Sequence, residues 1–320
     1  MDESELEKRK EFEKYKQRKK RCLIKNSYIP MKLRKMIHPL LHVMLMISRK
    51  SHGYNIEIIN KPRVVSNRPV IYAVSHIGKL DFEIVSEIIT QQSFVLAADF
   101  VHTKGTFSGF FLWMNGVVYI DVLDKEDRKN SRNIMVKIAK QGGNIMIFPE
   151  GTWNLSPNEI VYDIQLGTVD IAMGTGAVIL PVSVEQYEEK KKFVVNSGDI
   201  IEIKQRGDKE YKIKKTQELR DAMATLKYEI WEREGVVERN TIKINHWENF
   251  ILHRCKEWPK YAFREQIDNC YIPREKTEYW EVIRDIKNMK IREANKFLFM
   301  RKEVFWQSRK SDHMKYFYEF

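Results

Sequence analysis

The middle of the chain carries short, nearly continuous apolar runs. Runs of this length, bounded by polar or turn-forming residues, are typical of buried strands. They lie at 55–59, 69–74, 93–98, 117–122, 144–148 and 177–184. Between them, apolar residues recur at helical spacing over 81–91, 126–141 and about 165–174. Strands that alternate with helices predict an α/β fold with a mostly parallel, twisted sheet flanked by helices.

The two ends of the chain differ from this middle. Residues 1–28 form a charged segment rich in Glu and Lys, for which we predict a solvated or frayed helix with little to bury. An amphipathic helix over 217–234 closes the α/β domain, which we expect to span 29–235. Residues 236–320 are rich in aromatic and basic residues and predict a helical extension, with helices near 243–256, 277–288 and 290–306.

The segment 29–50 is dense in apolar residues and carries cations at its flanks. The apolar residues are Met31, Leu33, Met36, Ile37, Leu40, Leu41, Val43, Met44, Met46 and Ile47. The cations are Lys32, Arg34, Lys35, Arg49 and Lys50. Such a helix can lie in the headgroup region of a bilayer, with its cations against anionic lipid. An ordinary helix over the domain core is the alternative, and we favour the membrane surface.

Composition indicates a folded chain with an anionic partner. Of the 320 residues, 43% are hydrophobic, which is enough for a substantial core. The formal net charge is +12, and residues 1–50 hold 15 Lys and Arg against 6 Asp and Glu. This balance suits an anionic membrane, a phosphorylated substrate or nucleic acid. The aromatic and basic residues of 237–320 lack any nucleic-acid motif, so we expect no nucleic-acid partner.

Cysteine usage and the chain's apolar stretches bear on the compartment. Cys22, Cys255 and Cys270 have no CxxC or His-rich companion, so we predict no disulfide framework, no metal and no bound cofactor. The charged first residues differ from a secretory signal peptide. The nearest candidate for a membrane span, 39–47, is shorter than the roughly 18–20 apolar residues required. We therefore expect a cytoplasmic protein, peripheral on the cytoplasmic face of the membrane.

His76 and Asp81 form the first candidate for chemistry. They lie in the sequence VSHIGKLDF, in a turn between a predicted strand and a predicted helix. Such a loop can fold back so that the carboxylate contacts one imidazole nitrogen and leaves the other free, which makes the free nitrogen a better base. Ser75 precedes His76, but adjacent residues on a strand point to opposite faces, which argues against a Ser–His hydrolase pair.

A second informative stretch, FPEGT, follows the apolar run at 144–148. Glu150 and Gly151 therefore lie at the carboxyl end of a strand, which is the ligand-binding edge of a parallel sheet. His76 also follows a strand, so we expect both loops to face one cleft. Proline and glycine around a carboxylate indicate a shaped turn that can meet a polar ligand. A tight loop with a solvated Glu is the plainer alternative.

Together, VSHIGKLDF and FPEGT resemble the glycerophospholipid acyltransferase family, which includes the lysophosphatidic acid acyltransferases. The resemblance rests on the His-x4-Asp spacing followed by FPEGT. Gly109 with the sequence GVVYID at 116–121 is similar to the family's second motif, and residues 178–182 are similar to its fourth. The match covers about 29–235.

This resemblance implies a role for each matched residue. His76 would be the general base on an acceptor hydroxyl, and Asp81 would orient it. The hydroxyl would attack the thioester of an acyl-CoA or an acyl carrier protein. Because a thioester is already activated, proton removal and positioning can supply most of the acceleration without a metal or a covalent nucleophile. The residues implied in acceptor binding or pocket shape are Glu150, Gly151, Thr152 and Pro181.

Two departures from the family's pattern concern the acceptor. Val122 stands where the second motif usually has arginine, and Trp153 stands where arginine usually follows FPEGT. Those arginines are associated with the acceptor's phosphate, so their loss argues against a glycerol-phosphate acceptor. Trp153 offers a flat apolar wall for a sugar ring, an acyl chain or a bulkier headgroup. The cations available for an anionic group are Lys79, Lys104, Arg128 and Arg132.

We therefore predict a membrane-surface acyltransferase of lipid metabolism that acylates a hydroxyl, or an amine, of a lysophospholipid-like acceptor. One rival is a catalytically silent lipid-binding protein on the same scaffold, against which the intact His76 and Asp81 argue. The other rival is an acyl-thioesterase, in which the same base would activate water.

Overall fold

Seven strands form one sheet in the computed structural model, which describes residues 3–21, 30–65, 67–155, 159–235, 239–246 and 249–250. They are β1 (Asn55–Ile58), β2 (Val70–Val74), β3 (Ser93–Ala97), β4 (Val117–Tyr119), β5 (Asn144–Ile147), β6 (Val178–Tyr187) and β7 (Lys192–Ser197). Their order is β1-β7-β6-β2-β5-β3-β4, and only β6 and β7 pair antiparallel. The prediction of a mostly parallel α/β sheet is confirmed. β7 was not predicted.

Helices lie between the strands and at both ends of the described chain. They are α1 (Glu3–Arg21), α2 (Met31–Ser51), α3 (Asp81–Ile88), α4 (Phe100–Thr103), α5 (Phe107–Asn115), α6 (Lys125–Lys140), α7 (Gly167–Thr175) and α8 (Lys209–Glu234), with a 3-10 turn at Arg239–Thr241. The helices predicted at 81–91, 126–141, 165–174 and 217–234 correspond to α3, α6, α7 and α8. The helices predicted at 277–288 and 290–306, and most of 243–256, lie outside the described residues.

The central strand β2 is buried along its whole length. Ile71 and Ala73 point to one face of the sheet, where they share a core with α6, α7 and α8. Val70, Tyr72 and Val74 point to the other face, where α3 and α5 pack. Because both faces are covered, the strand is an uninterrupted apolar run, and this is why the sequence pattern identified it.

The register of the central strands brings two loops to one edge of the sheet. β2 pairs in parallel with β5, with Ala73 opposite Ile147. His76 lies just beyond the end of β2, and the loop 148–154 begins just beyond the end of β5. Both loops therefore leave the carboxyl edge side by side, where ligands bind in sheets of this kind.

The N-terminal helix α1 packs on the α/β domain. Phe12 stacks on Phe100 with ring centroids 4.8 Å apart. Lys19 Nζ lies 2.8 Å from Asp127 Oδ1, and both side chains are fully buried. Burial lowers the pKa of Lys19, and the contact with Asp127 opposes that shift. The prediction of a solvated helix with little to bury is therefore wrong, because lysines paired with carboxylates take the place of an apolar stripe.

Replacing Phe12 with alanine is expected to release α1 from the domain. Truncating a buried phenylalanine costs roughly 3 kcal/mol, enough to shift the docking equilibrium of a single terminal helix. Amide hydrogen exchange should then become faster over 3–21, while β2 keeps its protection. Leu6→Ala, at an exposed position of the same helix, is the matched control. Unchanged protection of α1 in the Phe12 variant would contradict this account of its packing.

Helix α2 has a buried side and an exposed apolar side. The buried side chains are Arg34, His38, Leu41, Leu45 and Ser48. The exposed apolar side chains are Leu33, Met36, Leu40, Val43 and Ile47. α5 packs beside α2 and adds three exposed aromatic side chains, Phe107, Phe110 and Trp113. One side of α2 therefore covers the core, and the other forms with α5 an exposed apolar area, termed here the α2–α5 surface.

The cations of α2 divide between buried and exposed positions. Arg34 is fully buried and donates to backbone carbonyls at the end of α5, so the expectation that it faces lipid is wrong. Arg49 donates to both carboxylate oxygens of Glu87 at 2.8 Å. The exposed cations of this helix are Lys32, Lys35 and Lys50. Within the described residues, no helix has both the length and the apolar character needed to cross a bilayer.

Candidate active site

His76 and Asp81 form a hydrogen-bonded pair at the carboxyl edge of the sheet. Nδ1 of His76 lies 2.8 Å from Oδ2 of Asp81. Asp81 is fully buried at the first position of α3, where the helix dipole favours a negative charge. The same Oδ2 accepts hydrogen bonds from the backbone N–H groups of Ile77 at 2.6 Å and Gly78 at 2.8 Å. The loop is thus folded around the carboxylate in the way that the spacing predicted.

Two aromatic rings pack against the imidazole of His76. Phe148 stacks on it, with 4.2 Å between ring centroids, and Trp153 stands at 80° to it with 6.0 Å between centroids. The His76 side chain remains 22% exposed. Nε2 has no hydrogen bond to any residue that the structure describes. Because Nδ1 donates to Asp81, Nε2 carries the free lone pair and can accept a proton.

Glu150 joins the two loops. Its Oε1 accepts the backbone N–H of His76 at 3.2 Å, and its Oε2 accepts the backbone N–H of Tyr162 at 2.9 Å and the side-chain amide of Asn154 at 3.0 Å. Asn154 N in turn donates to the His76 carbonyl at 2.6 Å. Burial raises the pKa of Glu150, and the charge of Lys227 is the largest effect against that shift. The alternative of a solvated Glu in a tight loop is therefore wrong.

The other residues predicted to shape the site lie at different depths. Gly151 has φ +73°, a conformation that glycine adopts without strain, and its N–H closes a turn on the carbonyl of Phe148. Thr152 is partly buried. Trp153 is only 9% exposed, so its ring packs against His76 and leaves little apolar surface for a substrate. Pro181 is buried inside β6 opposite Ala73. Contact of these residues with a substrate stays a prediction.

The four cations proposed for an anionic group differ in their surroundings. Three have partners on the protein: Lys104 with Glu11, Arg128 with the carbonyl of Val122, and Arg132 with Asp170. Lys79 is exposed in the loop between His76 and Asp81, and it makes no hydrogen bond or ion pair with a described residue. Lys79 is thus the member of this set best placed to meet an anionic group near His76.

The region of Val122 is occupied by α1. Lys16 Nζ lies 3.0 Å from Asp121 Oδ2 and 3.4 Å from Asp124 Oδ2. These contacts place a lysine ammonium beside the position where the family pattern has arginine, but they commit that charge to carboxylates of the protein. Sequence reasoning missed this arrangement because the partners are more than a hundred residues apart along the chain.

Phe148, Asn154 and Lys227 also contribute to the site and were not identified from the sequence. Phe148 is the first residue of the FPEGT sequence, so its position at the start of the loop was an available signal. Asn154 follows the departure at Trp153 and gave no signal of its own. Lys227 lies within the apolar positions Met223, Leu226 and Ile230, and a lysine in such a stripe was the clue to its burial.

Ser75 takes no part in the His76 pair. It is fully buried, and its Oγ accepts a hydrogen bond from the backbone N–H of Val184 at 2.9 Å. The argument against a Ser–His hydrolase pair agrees with this geometry. In the part of the chain that the structure describes, no group of three or more His, Cys, Asp or Glu could hold a metal ion.

Comparison with known proteins points to the same class of protein as the two loops and the sheet. Residues 55–185, which contain both loops, match the family model described as Acyltransferase. The chain is 25% identical over 148 residues to the 1-acyl-sn-glycerol-3-phosphate acyltransferase of Borreliella burgdorferi. The aligned part is 46% of this chain and 58% of that protein, so the chain spans little more than half the length of this curated relative.

The fold is also that of a solved acyltransferase. The crystal structure of the 1-acyl-sn-glycerophosphate (LPA) acyltransferase PlsC from Thermotoga maritima superimposes with a TM-score of 0.50 at 14% identity. The superposition covers 71% of this chain and 90% of that one. Sheet, loops and family model thus define an acyltransferase α/β domain. Residues 55–185 match an Acyltransferase domain, which agrees with the resemblance to the glycerophospholipid acyltransferases carried by the His-x4-Asp and FPEGT sequences.

Proposed function

We propose that this protein is an acyltransferase that moves a fatty acyl group from a thioester donor to a hydroxyl of a lysophospholipid-like acceptor. One observation carries the proposal: His76 is paired with a buried Asp81 through Nδ1 and keeps Nε2 free at the carboxyl edge of the sheet. The family match of residues 55–185 supports the reaction class. The proposed donor is acyl-CoA or an acyl carrier protein, and no resident cofactor is required.

The proposed reaction proceeds by one proton transfer and one acyl transfer. His76 Nε2 takes the proton of the acceptor hydroxyl as its oxygen attacks the thioester carbonyl carbon. The tetrahedral intermediate then collapses, its carbon–sulfur bond breaks, and the departing sulfur receives the proton from the imidazolium. Asp81 holds the tautomer that makes Nε2 the base and stabilises the imidazolium while it exists.

The acceptor headgroup is proposed to differ from a simple glycerol phosphate. Val122 and Trp153 replace the family's usual arginines, and the neighbouring Lys16 is engaged with carboxylates. Lys79 is the proposed contact for an anionic group of the acceptor or donor, because it is exposed beside His76. A phosphodiester lysophospholipid, a lipid alcohol or amine, or an amino-acid headgroup would fit these departures.

The α2–α5 surface is the proposed membrane contact, on the cytoplasmic face. Leu41 and Leu45 of α2 pack against Phe111 of α5, which makes the two helices one support for the exposed apolar side chains. Exposed lysines flank this area on α2. An apolar patch with cations at its margin matches an anionic bilayer surface, from which a lysophospholipid acceptor would be taken.

Leu40→Glu is expected to weaken binding to anionic vesicles by about tenfold or more. The variant loses the free energy of moving one leucine side chain from water into the bilayer, and it adds a negative charge that anionic lipid repels. Co-sedimentation with phosphatidylcholine vesicles, with and without phosphatidylglycerol, measures this change. Ile213→Glu replaces an exposed apolar residue of α8 outside the α2–α5 surface and is the control. Equal losses in the two variants would refute a specific role for the α2–α5 surface.

The reaction is tested by thiol release from acyl-CoA and from acyl carrier protein, each with and without a panel of lysophospholipids. Release that requires an acceptor, with formation of the diacyl product, is the expected result and names the headgroup. Release at full rate without any acceptor would instead show a thioesterase. Absence of release from folded protein with either donor, together with lysophospholipid binding, would show a catalytically silent lipid-binding protein.

A further inference from the structure

A cavity lies at the amino edge of the sheet, opposite to the edge that presents His76. Its volume is about 370 Å³, which is in the range of small-molecule sites. Among the residues that line it are Pro69, Gln92 and Asn144, at the starts of β2, β3 and β5. These strands are four or five residues long, so the cavity and the His76 edge are roughly 15 Å apart.

Gln92 contributes an unpartnered polar atom to this cavity. The residue is 4% exposed, and its side-chain Nε2 donates a hydrogen bond to the carbonyl of Asn115. That hydrogen bond fixes the orientation of the amide, because a carbonyl can only accept. The free end of the amide is therefore Oε1, which has no partner among the described residues. A buried amide oxygen without a donor is unfavourable, and a bound molecule with an N–H or O–H group would supply one.

Asn144 and His38 add further polar groups to the cavity wall. Asn144 Oδ1 accepts the backbone N–H of Val70 at 3.0 Å, and its Nδ2 donates to the carbonyl of Gln92 at 3.3 Å. These two bonds connect the starts of the three strands and hold the Gln92 backbone in place. His38, on the buried side of α2, is 5% exposed, and burial lowers its pKa, so its ring is neutral at pH 7.

Two exposed cations give the cavity a positive charge. Lys35 and Arg68 line it, and none of the described lining residues is acidic. Lys35 Nζ donates to the carbonyl of Gly142 at 3.3 Å, a contact that uses one of its three N–H groups. Arg68 makes two hydrogen bonds with the carboxylate of Glu202, at 2.7 and 2.8 Å, so Glu202 offsets part of its charge. Lysine and arginine beside neutral polar groups favour a phosphate as ligand.

We propose that this cavity is a second ligand-binding site, which takes a small phosphorylated molecule that also carries a hydrogen-bond donor. In the bound state the phosphate contacts Lys35 and Arg68, and the N–H or O–H group donates to Gln92 Oε1. The site is separate from the acyl-transfer site and does not depend on the proposed reaction. Because its walls come from three central strands and from α2, a bound molecule stabilises the folded domain.

Calorimetric titration of the full chain with inorganic phosphate, glycerol phosphate and AMP tests this site. Inorganic phosphate supplies only the anion, whereas the other two probes also carry O–H or N–H donors. The better of these two is expected to bind about tenfold or more tightly than inorganic phosphate, because it also pairs with Gln92 Oε1. Gln92→Met keeps the approximate size of the side chain and removes the acceptor, so it should abolish this preference.

Two charge variants are expected to change the affinity for the better probe in opposite directions. Lys35→Ala removes a cation and should weaken binding by about fivefold or more. Glu202→Gln removes the carboxylate that offsets Arg68 and should strengthen binding by about threefold. Lys32→Ala removes an exposed cation of the same helix that does not line the cavity, and it is the matched control.

Binding at the carboxyl edge of the sheet would give a different pattern. His76→Ala and Lys79→Ala should leave the affinity unchanged, because both residues lie at that edge. A loss of affinity in these variants, or equal losses in Lys35→Ala and Lys32→Ala, overturns the proposal. Absence of binding to all three probes at millimolar concentration overturns it as well and shows a cavity that holds solvent only.

The test does not depend on one variant or on activity. If Gln92→Met does not fold, the opposite changes expected for Lys35→Ala and Glu202→Gln still decide, because both residues are exposed. Failure of acyl transfer in the wild type would refute the proposed function and leave this result unaffected, since the titration measures binding alone.

Discussion

His76→Ala is expected to lower acceptor-dependent thiol release by about 10²–10⁴-fold, the usual contribution of a positioned general base. The imidazole Nε2 is the free proton acceptor at the carboxyl edge, and the variant removes it without touching Asp81 or Glu150. The loss should appear in kcat, with KM for the acceptor nearly unchanged, because the base acts in the transition state. Steady-state kinetics with the acceptor found in the panel measure both constants.

The chain supplies its own control for this variant. His102 forms a second histidine–aspartate pair, with Nδ1 2.9 Å from Asp99 Oδ1 beyond the end of β3. His102→Ala should keep wild-type kcat, because that pair lies at the start of α4, away from the loop that holds His76. Full activity in His76→Ala, or an equal loss in both variants, would remove His76 from the role of base.

Asp81→Asn is expected to reduce kcat by about 10²–10⁴-fold, close to the loss in the His76 variant. The carboxylate accepts hydrogen bonds from His76 Nδ1 and from two backbone N–H groups through one oxygen. An amide can satisfy the backbone donors with its oxygen, but its NH2 favours the tautomer in which Nδ1 accepts. Nε2 would then carry the proton and could not act as a base.

Two comparisons make the Asp81 result specific. Asp99→Asn changes the second pair in the same way and should leave kcat near that of wild type. The double variant His76→Ala with Asp81→Asn should be no slower than His76→Ala alone, because Asp81 acts through the imidazole. Additive losses would show that Asp81 has a separate role.

The sequence was sufficient for the sheet and for the two loops because both rest on local patterns. β2 is covered on both faces, so its apolar residues are continuous and its position is unambiguous. His76 and Glu150 each follow such a run, and parallel pairing of β2 with β5 then brings them to the same edge. The prediction that both loops face one cleft followed from that pairing, whereas the hydrogen bond from the His76 backbone to Glu150 was not predicted.

The parts that were not predicted depend on contacts between distant segments. The sequence of α1 is typical of a solvated helix, because the carboxylates that pair with Lys16 and Lys19 lie more than a hundred residues later in the chain. β7 is polar at its ends, and its register is set by antiparallel pairing with β6. Lys227 has the chemistry of a surface residue, and only the position of α8 over β6 shows that it is buried.

The placement of β1 bears on how the chain folds as it is synthesised. β1 is an edge strand, and its neighbour in the sheet is β7, with Asn55 opposite Lys192. Residues 55–58 therefore leave the ribosome long before their partner strand exists, and closing so large a loop slows folding. We expect the centre of the sheet to assemble first and the earliest-made strand to join last. Until β7 is synthesised, β1 has no partner strand and its apolar side chains stay exposed, a state that chaperones protect.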